Sequence, residues 1–348
     1  MLNSNWQTFL QQHGAQFHNE VVQDFGDAPA ERLAARDGTV LCDLSQFGLL
    51  KVSGDDAQSF LQNLSSNDIK AVTPAQAQLS SLNTAKGRVL ATFLVWQSGA
   101  DYYLQLPAAL SATVQKKLTM YVLRAKVKIE DVSAQLVCLG LAGKNAAALL
   151  SAIGELPQGT LAVAQHAKAL ILRMGDERFQ LVVPAEHATA LWQQLSPQAR
   201  PIGSPCWDWL NIRAGFPVVL PATQEQFVLQ MLNLDLIGGV SFKKGCYPGQ
   251  EVVARLHYLG KLKQRTYLAH IASDAAPQPN DPLYNDGDAG QSNGHILNAA
   301  PAPQGGYDVL ATLYSSVKEA HVVHWQSPQG AVLDFAELPY PFPAESGG

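Results

Sequence analysis

The octapeptide Lys244-Gly245-Cys246-Tyr247-Pro248-Gly249-Gln250-Glu251 holds the residue types best suited to chemistry in this chain. It sets one thiol in a tight turn, with the cations of Lys243 and Lys244 before it and polar groups after it. Pro248 presets φ and Gly249 permits φ > 0, which is turn chemistry. Gly245 frees the backbone just ahead of the sulfur. Amines close to a thiol favour the thiolate and lower its pKa. Cys246 is therefore a candidate nucleophile, redox centre or ligand. The competing reading is a structural turn whose cysteine fills a small apolar gap, as free cysteines usually do.

Other candidate groups are less specific. Trp207 and Trp209 flank Asp208 after a Gly-Ser-Pro turn. On a helix the two rings diverge by about 200°, so at most one faces a given pocket, and both also suit a core. Lys86-Gly87-Arg88 reads as a hairpin turn with two cations that could hold a carboxylate or phosphate, or simply stay solvated. His321 and His324 are three apart, and in a strand they face opposite sides, which argues against a shared metal. His257 could serve Cys246 as a base only if the chain folds back. Cys42, Cys138, Cys206 and Cys246 form no CxxC pair, so no zinc-type spacing exists and no permanently bound metal is expected. The Gly140–Asn145 stretch lacks the spacing and hydroxyl of a phosphate-binding loop, and no GxGxxG occurs.

The elements that position these residues read as a duplication. Leu50-Lys51-Val52-Ser53-Gly54 followed by Asp55 to Leu61 matches Leu139 to Gly143 followed by Lys144 to Leu150. Gly54 and Gly143, Ala57 and Ala146, and Phe60 and Leu149 are each 89 residues apart. In both copies an apolar run ends at glycine and an i, i+3, i+4 pattern begins, which predicts strand, turn, helix. A later pair, Leu104 to Ala108 and Leu181 to Ala185, is 77 apart, as are Val114 and Leu191. Each copy then reads strand–helix, a hairpin of strands, and helix–strand, a ferredoxin-like split βαβ pattern. The expected hairpin strands are 78–83 and 88–96, with 102–106 added, in the first copy, and 169–174 and 179–183 in the second. From Arg265 onward, short alternating runs broken by Pro, Gly, Asn and Asp predict an all-β module, a barrel. Strands are expected at 307–315 and 320–325, and loops at 277–282 and 285–288. Residues 340–348 carry no core-forming pattern.

The fold class that results is α+β. A first region spans 1–264, with repeated units at about 40–131 and 132–205 and the cysteine segment at 206–264. The β-barrel follows at 265–340 and a tail at 341–348. With 348 residues, 47% hydrophobic and only 15% charged, the chain can bury a large core under a mild surface. A net charge of −5 shows no basic excess, so no direct nucleic-acid contact is expected. The polar N-terminus is unlike a signal peptide and no apolar run approaches a membrane span, which suits a cytoplasmic protein with reduced cysteines and no membrane partner.

A wider set of segments resembles the YgfZ family of folate-binding proteins. Asn233-Leu234-Asp235 leads through Gly238-Gly239-Val240-Ser241-Phe242 into the octapeptide and then Val252-Val253-Ala254-Arg255. Leu49 to Ala57 with Phe60 to Leu64, Asn83 to Arg88, and Trp207 to Pro221 resemble further family segments in the same order. The likeness covers about residues 40–265. That family includes a mitochondrial iron–sulfur assembly factor and is related to the T-protein, the aminomethyltransferase of the glycine cleavage system.

The resemblance implies a duplicated folate-binding region and a C-terminal β-barrel, three parts around a central opening. It implies tetrahydrofolate or another folate as ligand and iron–sulfur proteins, including enzymes that modify tRNA, as clients for assembly or repair. On this reading Cys246 is the working thiol, Lys244 tunes it, Tyr247 and Gln250 shape the turn, and Glu251 with Arg255 organises its surroundings. Trp207 falls on a family tryptophan associated with folate. A second such tryptophan is Phe47 here, which keeps a ring face and loses the N–H. Lys86 and Arg88 are candidates for the folate carboxylates, and Arg213 replaces a T-protein glutamate that contacts folate. The T-protein's catalytic aspartate falls on Leu90 or Ala91, and no Asp or Glu lies between Asn83 and Gly99. The alternatives are a tetrahydrofolate-dependent one-carbon transferase with an altered mechanism, and a non-catalytic folate-binding interaction module.

Overall fold

The repeat read from the sequence is a repeat of structure. In a computed structural model, which describes residues 3–260, 262–287 and 292–342, the strand Phe47–Ser53 turns at Gly54 into the helix Ala57–Leu64. The strand Leu136–Ala142 turns at Gly143 into the helix Ala146–Ser151. Gly54 and Gly143 have φ of 112° and 109°, in the region that L side chains avoid. A Cβ at Gly54 would collide with the Lys126 carbonyl, and one at Gly143 with the Gly38 carbonyl. Pro107 and Pro184, both at φ −51°, end equivalent strands and open the helices Ala108–Val122 and Ala185–Leu195.

The expected hairpin strands are present as Gln78–Asn83, Val89–Ser98 and Asp101–Pro107 in the first copy. In the second they are Leu170–Gly175 and Arg178–Pro184. The first sheet has the order Gln78–Asn83, Val89–Ser98, Asp101–Pro107, Phe47–Ser53, Lys128–Asp131. The second runs Val163–Gln165, Leu170–Gly175, Arg178–Pro184, Leu136–Ala142, Val40–Asp43, Arg200–Ile202. Here the copies differ. Val40–Asp43 opens the first repeated unit yet pairs antiparallel with Leu136–Ala142 and parallel with Arg200–Ile202. Its four residues are all buried, and a continuous apolar run names no pairing partner by itself.

The chain folds into two compact units. One comprises Met1–Asn63, Asp68–Gln78 and Phe93–Asp208; the other comprises Leu64–Asn67, Leu79–Thr92 and Trp209–Gly348. Within the first, one face of the second sheet presents Leu139, Leu141, Ile171, Phe179 and Leu181 to Trp6, Leu10, Leu150 and Trp192. Alternation along the strands sends Cys138, Gly140, Arg178 and Gln180 to the opposite face.

The second unit contains the C-terminal β module, a six-stranded antiparallel sheet curled into a half-barrel. Its strands are Val323–Trp325, Pro282–Asn285, Gly294–Pro301, Tyr307–Tyr314, Gln264–Ile271 and Leu333–Ala336, in that order. The segment 315–320 between two expected strands is a short helix, Ser315–Ala320. Asp235 grips Arg265 through a bidentate ion pair of 2.7 and 3.0 Å, and Asn233 Nδ2 donates to the Thr266 carbonyl at 2.7 Å. The Asn233-Leu234-Asp235 signature thus fastens the first strand of the module. The tail is less free than its sequence suggests: Tyr340 is half-buried and its hydroxyl donates to the Gly215 carbonyl at 2.9 Å. Asp288 and the expected tail beyond residue 342 lie outside the described residues.

Replacing either repeat glycine by alanine forces an L side chain to positive φ and into a carbonyl. We expect Gly54→Ala and Gly143→Ala each to destabilise the protein by roughly 2 kcal/mol or more in urea unfolding. A loss below about 0.5 kcal/mol at either would show that the turn is not so constrained.

Candidate functional site

Of the four cysteines, Cys42, Cys138 and Cys206 are buried and Cys246 is exposed. Burial pushes the thiols of Cys42 and Cys138 well up, and that of Cys206 up to about 12, so all three stay protonated at neutral pH. Around Cys246 the two lysines take different places. Lys243 is exposed, whereas Lys244 is buried. The Lys244 ammonium donates to the Ser65 carbonyl and, at 3.0 Å, to the Asn67 carbonyl, and it lies 5.1 Å from the centre of the Tyr247 ring. The lysine expected to tune the thiol therefore pins its turn to the Leu64–Asn67 segment. Tyr247 is buried beneath that ammonium, and burial raises its hydroxyl pKa.

Gly249 adopts a left-handed φ of 79° and caps the helix Gln250–Tyr258. Gln250 Nε2 reaches the Lys244 carbonyl at 3.5 Å, and Gln230 Nε2 donates to the Val253 carbonyl at 2.8 Å. Glu251 and Arg255 are exposed on this helix, four residues apart and so on one face. His257 does not turn toward the thiol; its ring stacks on Phe242 at 3.7 Å between centres.

The two turns singled out from the sequence meet. A Cβ on Gly249 would lie 2.5 Å from Gly87 Cα, and one on Gly87 would lie 3.0 Å from Val252 Cβ. The Lys86-Gly87-Arg88 turn and the Pro248-Gly249 turn pack backbone to backbone, and only glycine allows that approach. Lys86 is exposed at its tip, while Arg88 Nη1 donates to the Gln226 carbonyl at 2.6 Å.

Trp207 and Trp209 lie on the helix Ser204–Arg213 and serve different units. Trp209 Nε1 donates at 2.8 Å to the buried carboxylate of Asp308, which also binds His270 Nδ1 at 2.9 Å. Arg213 Nη1 lies 3.7 Å from that carboxylate. In the first unit, Trp207 is wholly buried with its ring against Gly140, where a Cβ would lie 2.5 Å from the indole. The Arg178 guanidinium lies 5.9 Å from the ring centre. Burial lowers the Arg178 pKa to about 10. The ring has no open face, but among the described residues its Nε1–H lacks a partner, as does Oε1 of buried Gln180, which sits opposite Gly140 in the sheet.

Gln180 and Arg178 were missed by the sequence reading. Their signal was two polar residues at one parity of an otherwise apolar strand. Phe47 is half-buried and borders a cavity of about 110 Å³ with Trp6, Asp43 and Cys138. That is well below the ~300–1,000 Å³ of ordinary small-molecule sites. Asp208, beside Trp207, is pushed up to about 6 by burial, partly offset by a 3.4 Å hydrogen bond from Gln46.

The fold is that of an aminomethyltransferase-like protein. Its fold matches the crystal structure of the glycine cleavage system aminomethyltransferase T from Bartonella henselae, with a TM-score of 0.76, 17% identity, and 95% and 96% of the two chains covered. The GCVT N-terminal domain family matches residues 6–244. A tRNA-modifying protein YgfZ from Colwellia psychrerythraea is 30% identical over 318 residues, covering 90% of this chain and 97% of the relative. Another from Photorhabdus laumondii is 32% identical over 307 residues, covering 86% and 92%. The chain belongs to the YgfZ family.

Two outcomes follow from the burial pattern. A disulfide-exchange reagent should titrate one thiol rapidly in the native protein and four after denaturation, and Cys246→Ser should abolish the rapid one; a second fast thiol would contradict the burial of the other three. The raised Asp208 pKa makes the folded state bind the extra proton between about pH 4 and 6, so this residue's contribution falls as pH rises through that window. Asp208→Asn should therefore stabilise at pH 7, by up to about 3 kcal/mol, and do little below pH 4. Equal gains at both pH values in thermal unfolding would refute that assignment.

Proposed function

We propose that this protein is a folate-binding accessory factor for assembly or repair of iron–sulfur enzymes, including those that modify tRNA, with Cys246 as its working thiol. The observation that carries the proposal is one exposed thiol on a turn held rigid by a buried lysine, in a protein whose other thiols are sealed. A fixed, accessible sulfur suits presentation to a partner protein. The relatives' name, tRNA-modifying protein, combined with a net charge of −5 here, supports action through enzymes rather than on RNA itself.

Folate would be held in the first unit at the sheet face around Gly140. Trp207 Nε1–H and Gln180 Oε1 are a buried donor and acceptor, each without a partner among the described residues, and a pterin edge offers both complements. Arg178 brings a cation to the same face for the ligand's anionic end. The bound folate would supply a one-carbon carrier or a redox-active ring, while these residues bind and orient it. The transferase alternative is weaker. By the resemblance the T-protein aspartate falls on Leu90 or Ala91, and both are buried and apolar. Lys86, exposed on the turn packed against the cysteine turn, would supply a cation for the client surface.

The test separates ligand from thiol. Gln180→Leu and Trp207→Phe should each weaken tetrahydrofolate binding about tenfold by calorimetry, the worth of one buried hydrogen bond. Cys246→Ser should bind folate as the wild type does, yet fail to restore a cluster-dependent tRNA-modifying enzyme in cells lacking this protein. Full restoration by Cys246→Ser would remove the thiol from the function. Unchanged binding by both first-unit variants would remove folate from that face.

A further inference from the structure

A cleft of about 580 Å³ in the second unit has no part in the sites above. Its walls are the rings of Tyr267, Phe335 and Phe342. Tyr267 meets Phe335 edge-on at 6.1 Å and Phe342 at a tilt of 48° at 5.2 Å between centres. The Lys318 ammonium sits over two of these rings at once, 5.5 Å from the centre of Tyr267 and 5.9 Å from that of Phe335. Both distances fall within the ~6 Å over which a cation is attracted by a ring quadrupole. Pro339 and Pro341 stiffen the chain that carries Phe342 to the box, and Glu337 adds a negative charge to the lining.

We propose that this aromatic box is a binding site for a small quaternary ammonium compound, and that Lys318 is its internal stand-in. The protein's own ammonium demonstrates that the rings accept a cation. A primary ammonium is strongly hydrated and leaves such a box readily, because water competes for its three N–H groups. A quaternary ammonium has no N–H to satisfy, carries methyl groups that fill apolar volume, and keeps the full attraction to the rings. The cleft volume lies within the range of small-molecule sites. Lys318 is exposed on the short helix Ser315–Ala320, so it can swing to solvent when the ligand enters. Its departure also removes a like charge from the ligand's neighbourhood.

The experiment titrates the full chain with tetramethylammonium chloride and follows the aromatic proton resonances by NMR, with potassium chloride at matched ionic strength as the control. The expected result is saturable shifts at Tyr267, Phe335 and Phe342 in the millimolar range. Lys318→Ala should bind about fivefold or more tightly, and Phe342→Ala, at an exposed position where folding is not at stake, about fivefold more weakly. Equal shifts with potassium chloride would overturn the proposal, since they would report screening alone. So would the absence of saturable binding to Lys318→Ala, in which the box is open.

Discussion

The burial of the Lys244 ammonium against the carbonyls of Ser65 and Asn67 is the constraint on which the cysteine turn depends. A buried cation needs partners, because an unpaired one would be driven to neutrality. Two backbone carbonyls and the face of Tyr247 meet that need here. The interaction joins positions 179 and 177 residues apart in the chain, so it exists only once the fold is complete. It also anchors the turn on which Cys246, two residues further on, is exposed. The same lysine that a sequence reading assigns to acidifying the thiol anchors the turn that carries it.

The glycines enforce the same economy of space. Gly87 and Gly249 let two turns touch through their backbones, and Gly140 leaves room for the indole of Trp207. Each absent side chain is filled by a neighbour that bears on the proposed function. In the first case it is the support of the cysteine helix, in the second the ring whose N–H is left without a partner. The duplicated scaffold supplies these places at little cost, because Gly54 and Gly143 repeat one strand-to-helix turn in both copies.

Much of the scaffold was legible in the amino-acid order. Spacings of 89 and 77 residues located the repeats, the paired prolines opened matching helices, and the hairpin strands fell near their expected bounds. The turn at Pro248-Gly249 was legible because proline and glycine act on their own backbone. Pairing partners were not. Val40–Asp43 joins the sheet of the second copy, since an apolar run such as Val40 to Cys42 suits any buried slot. The polar residues at alternate positions of Arg178–Pro184 marked a special sheet face, but their meaning required Trp207 to be laid across Gly140.

By itself the amino-acid order determined the family, the repeat, the turns and the identity of the one thiol set in turn chemistry. These rest on local backbone preference and on periodicity, which act over a few residues. The fold alone decided that Cys246 is open while three other cysteines are closed, that Lys244 is an anchor, that Arg213 and Trp209 converge on Asp308, and that the rings of Tyr267 and Phe335 meet the ammonium of Lys318. Burial and long-range contact depend on which surfaces meet, and that is a property of the whole chain rather than of any segment in it.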